Sequence, residues 1–245
     1  MNESSDESKS IVIVGSFSFP SGGAAASRIL GLSKSLCEAG YRVIIGSGQI
    51  ENIAQEEDIF EVVSLNERRY EHLPNLVKHL IYTFTAGKNT LAWLQRLNQK
   101  PKIVILYSGY SPYLLRLIPW CKKNQIDLIF DAVEWYQPSH MPGGGRFSPY
   151  RINIELAMRV LIKQLKKNIV ISDYLYEFYG QRSMVFKLPP TLDVEKITPR
   201  LEARGENKLI ISYTGQAGKK DILKDVIFAI AQINEESNRQ LELHI

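Results

Sequence analysis

At 245 residues, 44% hydrophobic and 23% charged, the chain suits a soluble globular protein of one large domain, or one domain and part of a second, with a sizeable core. Its formal net charge of +4 is too mild for a dedicated nucleic-acid binder and weakly favours anionic partners such as phosphates or a membrane surface. No apolar run is long enough to span a bilayer.

Residues 1–10 are polar and acidic, unlike a signal peptide, and read as a disordered tail on a cytoplasmic protein. The tail gives way to Ile11-Val12-Ile13-Val14-Gly15, a short apolar run of the kind a central parallel strand needs when both its faces are covered. A loop over 16–23 follows. The spacing of Ile29, Leu32, Leu36 and Ala39 then predicts a helix over 24–39, ended by Gly40, before a strand over 42–45. This is a βαβ unit.

The alternation continues with a strand over 60–65 and one long helix over 72–97, or two helices broken near Ala86-Gly87. Next come a strand over 102–107, a helix over 111–123 and a strand over 127–131. After a Pro- and Gly-rich loop over 137–149, a helix over 151–167, a strand over 168–172, a short helix over 173–179 and a strand over 183–188 complete the series. Repeated strand–helix alternation means an α/β, doubly wound parallel sheet of the Rossmann type.

The polar stretch 191–207 reads as a linker after Pro189-Pro190. A fresh strand over 209–213, a helix over 221–235 and a strand over 241–245 then begin a second, incomplete Rossmann-like domain over 208–245, too short to bury a core of its own. The expected division is therefore a tail over 1–10, a first domain over 11–190, a linker over 191–207 and the start of a second domain over 208–245. Cys37 and Cys121 fall in predicted helices far from any Cys or His partner, so both read as buried structural thiols, and no metal site is expected.

Five places can carry chemistry. Gly15 with Gly22-Gly23 lies at the carboxyl end of the first strand, where backbone N–H groups and a helix N-terminus can receive an anion; a plain tight connection explains the same glycines. The spacing is not that of a dinucleotide fingerprint. Asp131 and Glu134 follow a buried strand, with Trp135 and Tyr136 beside them. Carboxylates there can accept hydrogen bonds from sugar hydroxyls, an aromatic can stack on a sugar, and Glu134 can serve as a general base if burial raises its pKa. Capping of the next turn is the competing role for Asp131.

The loop His140-Met141-Pro142-Gly143-Gly144-Gly145-Arg146 either closes over an acceptor, with Arg146 in contact, or is a surface excursion. Arg159, Lys163, Lys166 and Lys167 make a basic stripe at helical spacing, which either contacts anionic lipid at the inner membrane face or is simply solvated. The fifth place runs from Tyr213-Thr214-Gly215-Gln216 to Lys219-Lys220-Asp221. There a strand, a glycine loop and two lysines at a helix start suit a pyrophosphate, without P-loop spacing.

The order of these features resembles the family-four retaining glycosyltransferases of GT-B fold. The likeness rests on the Gly22-Gly23 loop, on Asp131 to Glu134, and on the strand ending at Ser172-Asp173. It continues through Leu188-Pro189-Pro190-Thr191-Leu192-Asp193 into Tyr213-Thr214-Gly215 with Lys219-Lys220-Asp221, and so covers the chain from Ser10 onward. The resemblance implies transfer of a sugar from a nucleotide-sugar donor, used as substrate without a further cofactor, to a glycan or lipid-linked acceptor in surface polysaccharide synthesis.

Gly22 and Gly23 would then lie near the donor phosphates or the acceptor, Gly215 near the donor phosphates, Lys219 and Lys220 would neutralise the leaving diphosphate, and Trp135, Tyr136 and Arg146 would meet the acceptor. Two departures stand out. Gln216 occupies a place where many relatives carry Arg, and the family's pair of donor-holding glutamates would lie beyond Ile245, so little or no transfer is expected from this chain alone. A GT-B sugar-nucleotide epimerase and a non-catalytic truncated subunit are the alternatives.

Overall fold

The computed structural model describes residues 10–21, 23–49, 59–69, 72–108, 111–135, 148–190, 208–215, 222–236 and 240–245. Two compact units divide the chain, Met1–Asp193 and Val194–Ile245.

The first unit is built on β1 (Ser10–Gly15), β2 (Arg42–Ser47), β3 (Glu61–Ser64), β4 (Ile103–Tyr107), β5 (Asp127–Ala132), β6 (Lys167–Val170) and β7 (Met184–Lys187). All pair in parallel, in the spatial order β3-β2-β1-β4-β5-β6-β7. The helices are α1 (Ala24–Glu38), α2 (Asn75–Thr85), α3 (Lys88–Arg96), α4 (Ser111–Lys123), α5 (Pro149–Leu156) and α6 (Asp173–Gly180).

Strand parity sorts the core into two clusters, one on each side of the sheet. Ile11, Ile13, Val43, Ile45 and Ile105 join Ala26 and Ile29 of α1, together with Phe17, Phe19 and Phe60. Val12, Val14, Ile44, Val104, Leu106, Leu128 and Phe130 pack with side chains from α3, α4 and α6. Residues 11–14 of β1 are at most 2% exposed, as the unbroken apolar run required. Burying each such side chain contributes about 1.5–3 kcal/mol, most of it offset by chain entropy.

The predicted break in the long helix falls between α2 and α3, at Gly87. Its φ is 82°, and an added Cβ would come within 3.0 Å of the Tyr113 ring. The start of α3 is held from a distance. Buried Glu67 accepts hydrogen bonds from the Gly87 N–H (3.0 Å), the Thr90 N–H (2.8 Å) and the Thr90 hydroxyl (2.8 Å). A carboxylate there satisfies orphan donors and complements the positive end of the helix dipole.

The helix expected over 151–167 is a correction. Regular α-helix stops at Leu156, a π turn covers Ala157–Leu161, and a 3-10 turn covers Ile162–Gln164. The Tyr179 hydroxyl donates to the Met158 carbonyl at 2.8 Å, so tertiary packing supplies a partner that the disturbed ladder does not need to provide. Lys167 is already in β6, opposite Ile129. Ser172 ends no strand; it caps α6, its hydroxyl accepting from the Leu175 N–H at 3.4 Å.

Cys121 is buried, and burial pushes its thiol up to about 12. Cys37 departs from the expectation of burial. It is half-buried, its thiol raised by burial to a smaller extent.

In the second unit β8 (Lys208–Ser212) pairs in parallel with β9 (Gln240–His244), joined through α7 (Leu223–Glu236). Among the described residues, no helix is long and apolar enough to cross a membrane.

Candidate functional site

In a doubly wound sheet a ligand crevice opens at the strands' carboxyl ends, where successive connections leave on opposite faces. Here that point lies between neighbouring β1 and β4. The chain leaves β1 for α1, whose residues pack in one core cluster, and leaves β4 for α4, whose residues pack in the other. Gly15 and Tyr107 face each other in register at this edge. A Cβ on Gly15 would sit 2.7 Å from the Tyr107 carbonyl oxygen, so only glycine fits. Past β4, Ser108 takes a φ of 41°.

Of the helix N-termini at the switch point, α4's is already engaged. The Ser111 N–H donates to the Asn153 side-chain oxygen at 2.8 Å, and the Ser111 hydroxyl bonds to the same oxygen. The start of α1 differs. Gly23 (φ 65°) leads into it with no side-chain cap and no acidic residue in its first turn, and a Cβ on Gly23 would meet nothing within 4 Å. The backbone donors at this positive end of a helix dipole thus carry no side-chain cap, an arrangement suited to an anion. Gly22 lies outside the described residues.

Asp131, placed by sequence among the catalytic groups, is 1% exposed and has both carboxylate oxygens occupied. Arg28 of α1 donates to it twice, Nε to Oδ2 and Nη2 to Oδ1, each at 2.8 Å. The remaining guanidinium nitrogen donates to the carbonyls of Leu188 (3.0 Å) and Pro189 (3.3 Å), just after β7. Burial pushes the Asp131 carboxyl up while the Arg28 hydrogen bonds and charge pull it down. The fork geometry requires both oxygens as acceptors, which is the ionised form.

Asp131 thus holds α1 and the exit of β7 against the carboxyl end of β5, a positioning role rather than contact with a substrate. Arg28 is the residue that sequence reading missed. Its signal was its place four residues before Leu32 and eight before Leu36, on the apolar side of α1, where a charge demands a partner.

Glu134 is exposed just past β5, so the burial on which a general-base role rested is missing. It remains an accessible carboxylate at the site edge. Trp135 turns inward. Its indole N–H donates to Glu155 at 3.2 Å, the Arg159 guanidinium lies 4.7 Å from the ring centre, and Phe178 packs edge-on at 5.0 Å. Tyr174, 63% exposed, completes the aromatic group. The ring face that would stack on a sugar is shared with Arg159. Burial opposes ionisation of Glu155, but its bonds to Arg159 and Trp135 hold its carboxyl below the ordinary range.

The basic stripe is a second correction, because the helix that would align it is interrupted. Arg159 covers Trp135 and pairs with Glu155, Lys163 lies over Phe178 at 4.3 Å, and Lys167 pairs with Asp127 at 2.7 Å. Lys166 precedes β6 in a bend. Arg159 and Lys163 pack over neighbouring aromatic rings and Lys167 pairs with a carboxylate, so the helical alignment expected of the four is not kept.

In the second unit Gly215 lies three residues past the end of β8. Gln216, Lys219 and Lys220 lie outside the described residues, as do Tyr136, His140 and Arg146 of the loop after β5.

No family model and no curated protein sequence matches the chain. Solved structures do. The UGT89C1 of Arabidopsis thaliana complexed with UDP-L-rhamnose is 10% identical with a TM-score of 0.54, matching 97% of this chain and 69% of its own. LpCGTa in complex with UDP is 11% identical with a TM-score of 0.60, matching 95% of this chain and 64% of its own. The lipopolysaccharide outer core galactosyltransferase WaaB, in its apo form, is 14% identical with a TM-score of 0.52, matching 96% of this chain and 60% of its own. This chain therefore spans roughly two thirds or less of such structures and shares with them the Rossmann-like α/β fold of GT-B glycosyltransferases.

Proposed function

We propose that this chain is the acceptor-side domain, with the beginning of the donor-side domain, of a nucleotide-sugar-dependent glycosyltransferase that acts in the cytoplasm on a glycan or lipid-linked acceptor. The observation that carries the reading is the uncapped, glycine-led start of α1 beside the β1–β4 crevice, on a sheet of the order found. The likeness in fold to glycosyltransferase structures, two of them holding UDP or a UDP-sugar, supports it. Within this reading the enzyme is of the family-four, retaining type.

Bond cleavage at the donor's anomeric carbon leaves negative charge on a nucleoside diphosphate. In the first unit the N–H groups at the head of α1 are the donors suited to such charge; in the second unit, taken by itself, Gly215, Lys219 and Lys220 are the residues whose chemistry suits a phosphate. Glu134 accepts hydrogen bonds from sugar hydroxyls. The Arg28–Asp131 pair holds the head of α1 in place and touches no substrate.

The test is calorimetric titration of the purified chain with a panel of nucleoside diphosphate sugars. Saturable binding of at least one, weakened about tenfold or more by Ala24→Glu without loss of fold, supports the reading; a carboxylate at this exposed position in the first turn repels a diphosphate at the helix start. Absence of binding across the panel refutes it.

A further inference from the structure

The net positive charge of this protein comes from one stretch. From His72 to Ile126 there is no Asp or Glu, while eight Lys and Arg occur. That stretch carries +8 against +4 for the whole chain, which leaves −4 on all the rest. It comprises α2, α3, β4 and α4, and its three helices contact one another in sequence, α2 with α4 and α3 with α4. The charge asymmetry in the sequence is therefore a charge asymmetry in space.

The same layer exposes apolar side chains. In α4 six residues are buried, whereas α2 has no buried residue among those described. Val77, Leu80 and Phe84 of α2 are 44%, 54% and 65% exposed at spacings that put them on one helical face. Leu115 of α4 is 54% exposed. Next to it, Arg116 donates to the Phe84 carbonyl at 2.7 Å and to the Pro112 carbonyl at 2.8 Å, tying the last turn of α2 to α4. Lys88, at the start of α3, and Lys122 and Lys123, at the end of α4, are exposed. Among the described residues none of these cations forms an ion pair.

We propose that α2, with the basic layer around it, docks on an anionic phospholipid surface. The helix lies in the interface plane with Val77, Leu80 and Phe84 among the acyl chains, and the acid-free layer supplies the attraction. Charge complementarity selects this occupant. Exposed cations drawn from a stretch that contains no Asp or Glu fit a continuous sheet of phosphates better than the mixed charges of a typical protein surface. The inference is independent of the sugar-transfer reading, since it involves neither the β1–β4 crevice nor the head of α1, and either can fail without the other.

The test is co-sedimentation of the full chain with vesicles of phosphatidylcholine alone and of phosphatidylcholine containing phosphatidylglycerol. The expected result is binding to the second and not the first, weakened by molar salt, which shortens the screening length. Leu80→Asp with Phe84→Asp, at exposed positions that leave the far-ultraviolet circular dichroism unchanged, abolishes binding. Lys88→Glu weakens it about fivefold or more per unit charge, the equivalent of about 1 kcal/mol per basic residue. Arg159→Ala leaves it intact, which separates this face from the residues over Trp135.

Equal binding to both vesicle types, or none to either, overturns the proposal. So does self-association of the chain that Phe84→Asp abolishes while vesicles capture nothing, because the face would then be covered by a second copy.

Discussion

Replacing Asp131 with Asn separates the two roles open to it. The substitution keeps the shape and removes the charge opposite a guanidinium that is only 6% exposed. Arg28 is then left buried with no counter-charge, and one of its two 2.8 Å bonds to the side chain faces an NH2 group instead of an acceptor. Breaking a buried pair by removing one partner costs about 3–5 kcal/mol. For a domain of this size a loss of 1 kcal/mol lowers the melting temperature by about 2–4 °C, so the low end alone predicts a drop of about 6–12 °C.

Circular dichroism melts of the wild type, Asp131→Asn, Arg28→Met and the double variant form the cycle. The double variant should recover most of the loss, because no buried charge is left unpaired. Arg28 also holds the carbonyls of Leu188 and Pro189, so hydrogen exchange in the segment after β7 should quicken in both single variants. A melting temperature within about 2 °C of wild type for Asp131→Asn, a shift expected of surface substitutions, would refute the positioning role.

Three further outcomes follow from the same structure. Glu67→Gln should cost about 1.5–3 kcal/mol in chemical unfolding, because three donors at the head of α3 lose a charged acceptor. Cys121 should resist alkylation in the native state while Cys37 reacts. Above pH 9.0 the unfolded thiol ionises while the folded one, at about 12, does not, so the unfolded state binds fewer protons and stability should fall by about 1.4 kcal/mol per pH unit up to about pH 12; Cys121→Val should remove that component from pH-dependent urea melts.

Much of the fold was legible because local rules and tertiary demands agreed. The apolar run 11–14 is buried on both faces, α4 occupies Ser111–Lys123 as its spacing predicts, and the long helical pattern breaks at Gly87, where only a residue tolerant of positive φ fits. Period-two alternation along β5 also placed Asp131 on the same face as Ile129, although its partner lies 103 residues away and nothing local names it. The stretch 151–167 misled for a related reason. Its apolar residues do pack inward, but the Tyr179 hydroxyl and the pairing of β6 set the backbone path, and helical spacing contains neither.

Trp135 was visible as an aromatic at a strand end. Its indole donates to Glu155, twenty residues on, a contact that distinguishes packing from substrate stacking and that only the fold reveals. The acid-free stretch was legible throughout, yet its meaning depended on α2, α3 and α4 lying in one layer.

The most direct measurement of the central claim is amide chemical-shift mapping of the isotopically labelled chain during titration with UDP and a UDP-sugar. The account predicts shifts clustered at Gly23 to Ala26 and Ser108, around the carboxyl ends of β1 and β4, with α2 and the amino ends of the sheet unmoved. Shifts confined to the opposite edge of the sheet, or spread without a cluster, would contradict the placement of the site and with it the glycosyltransferase reading.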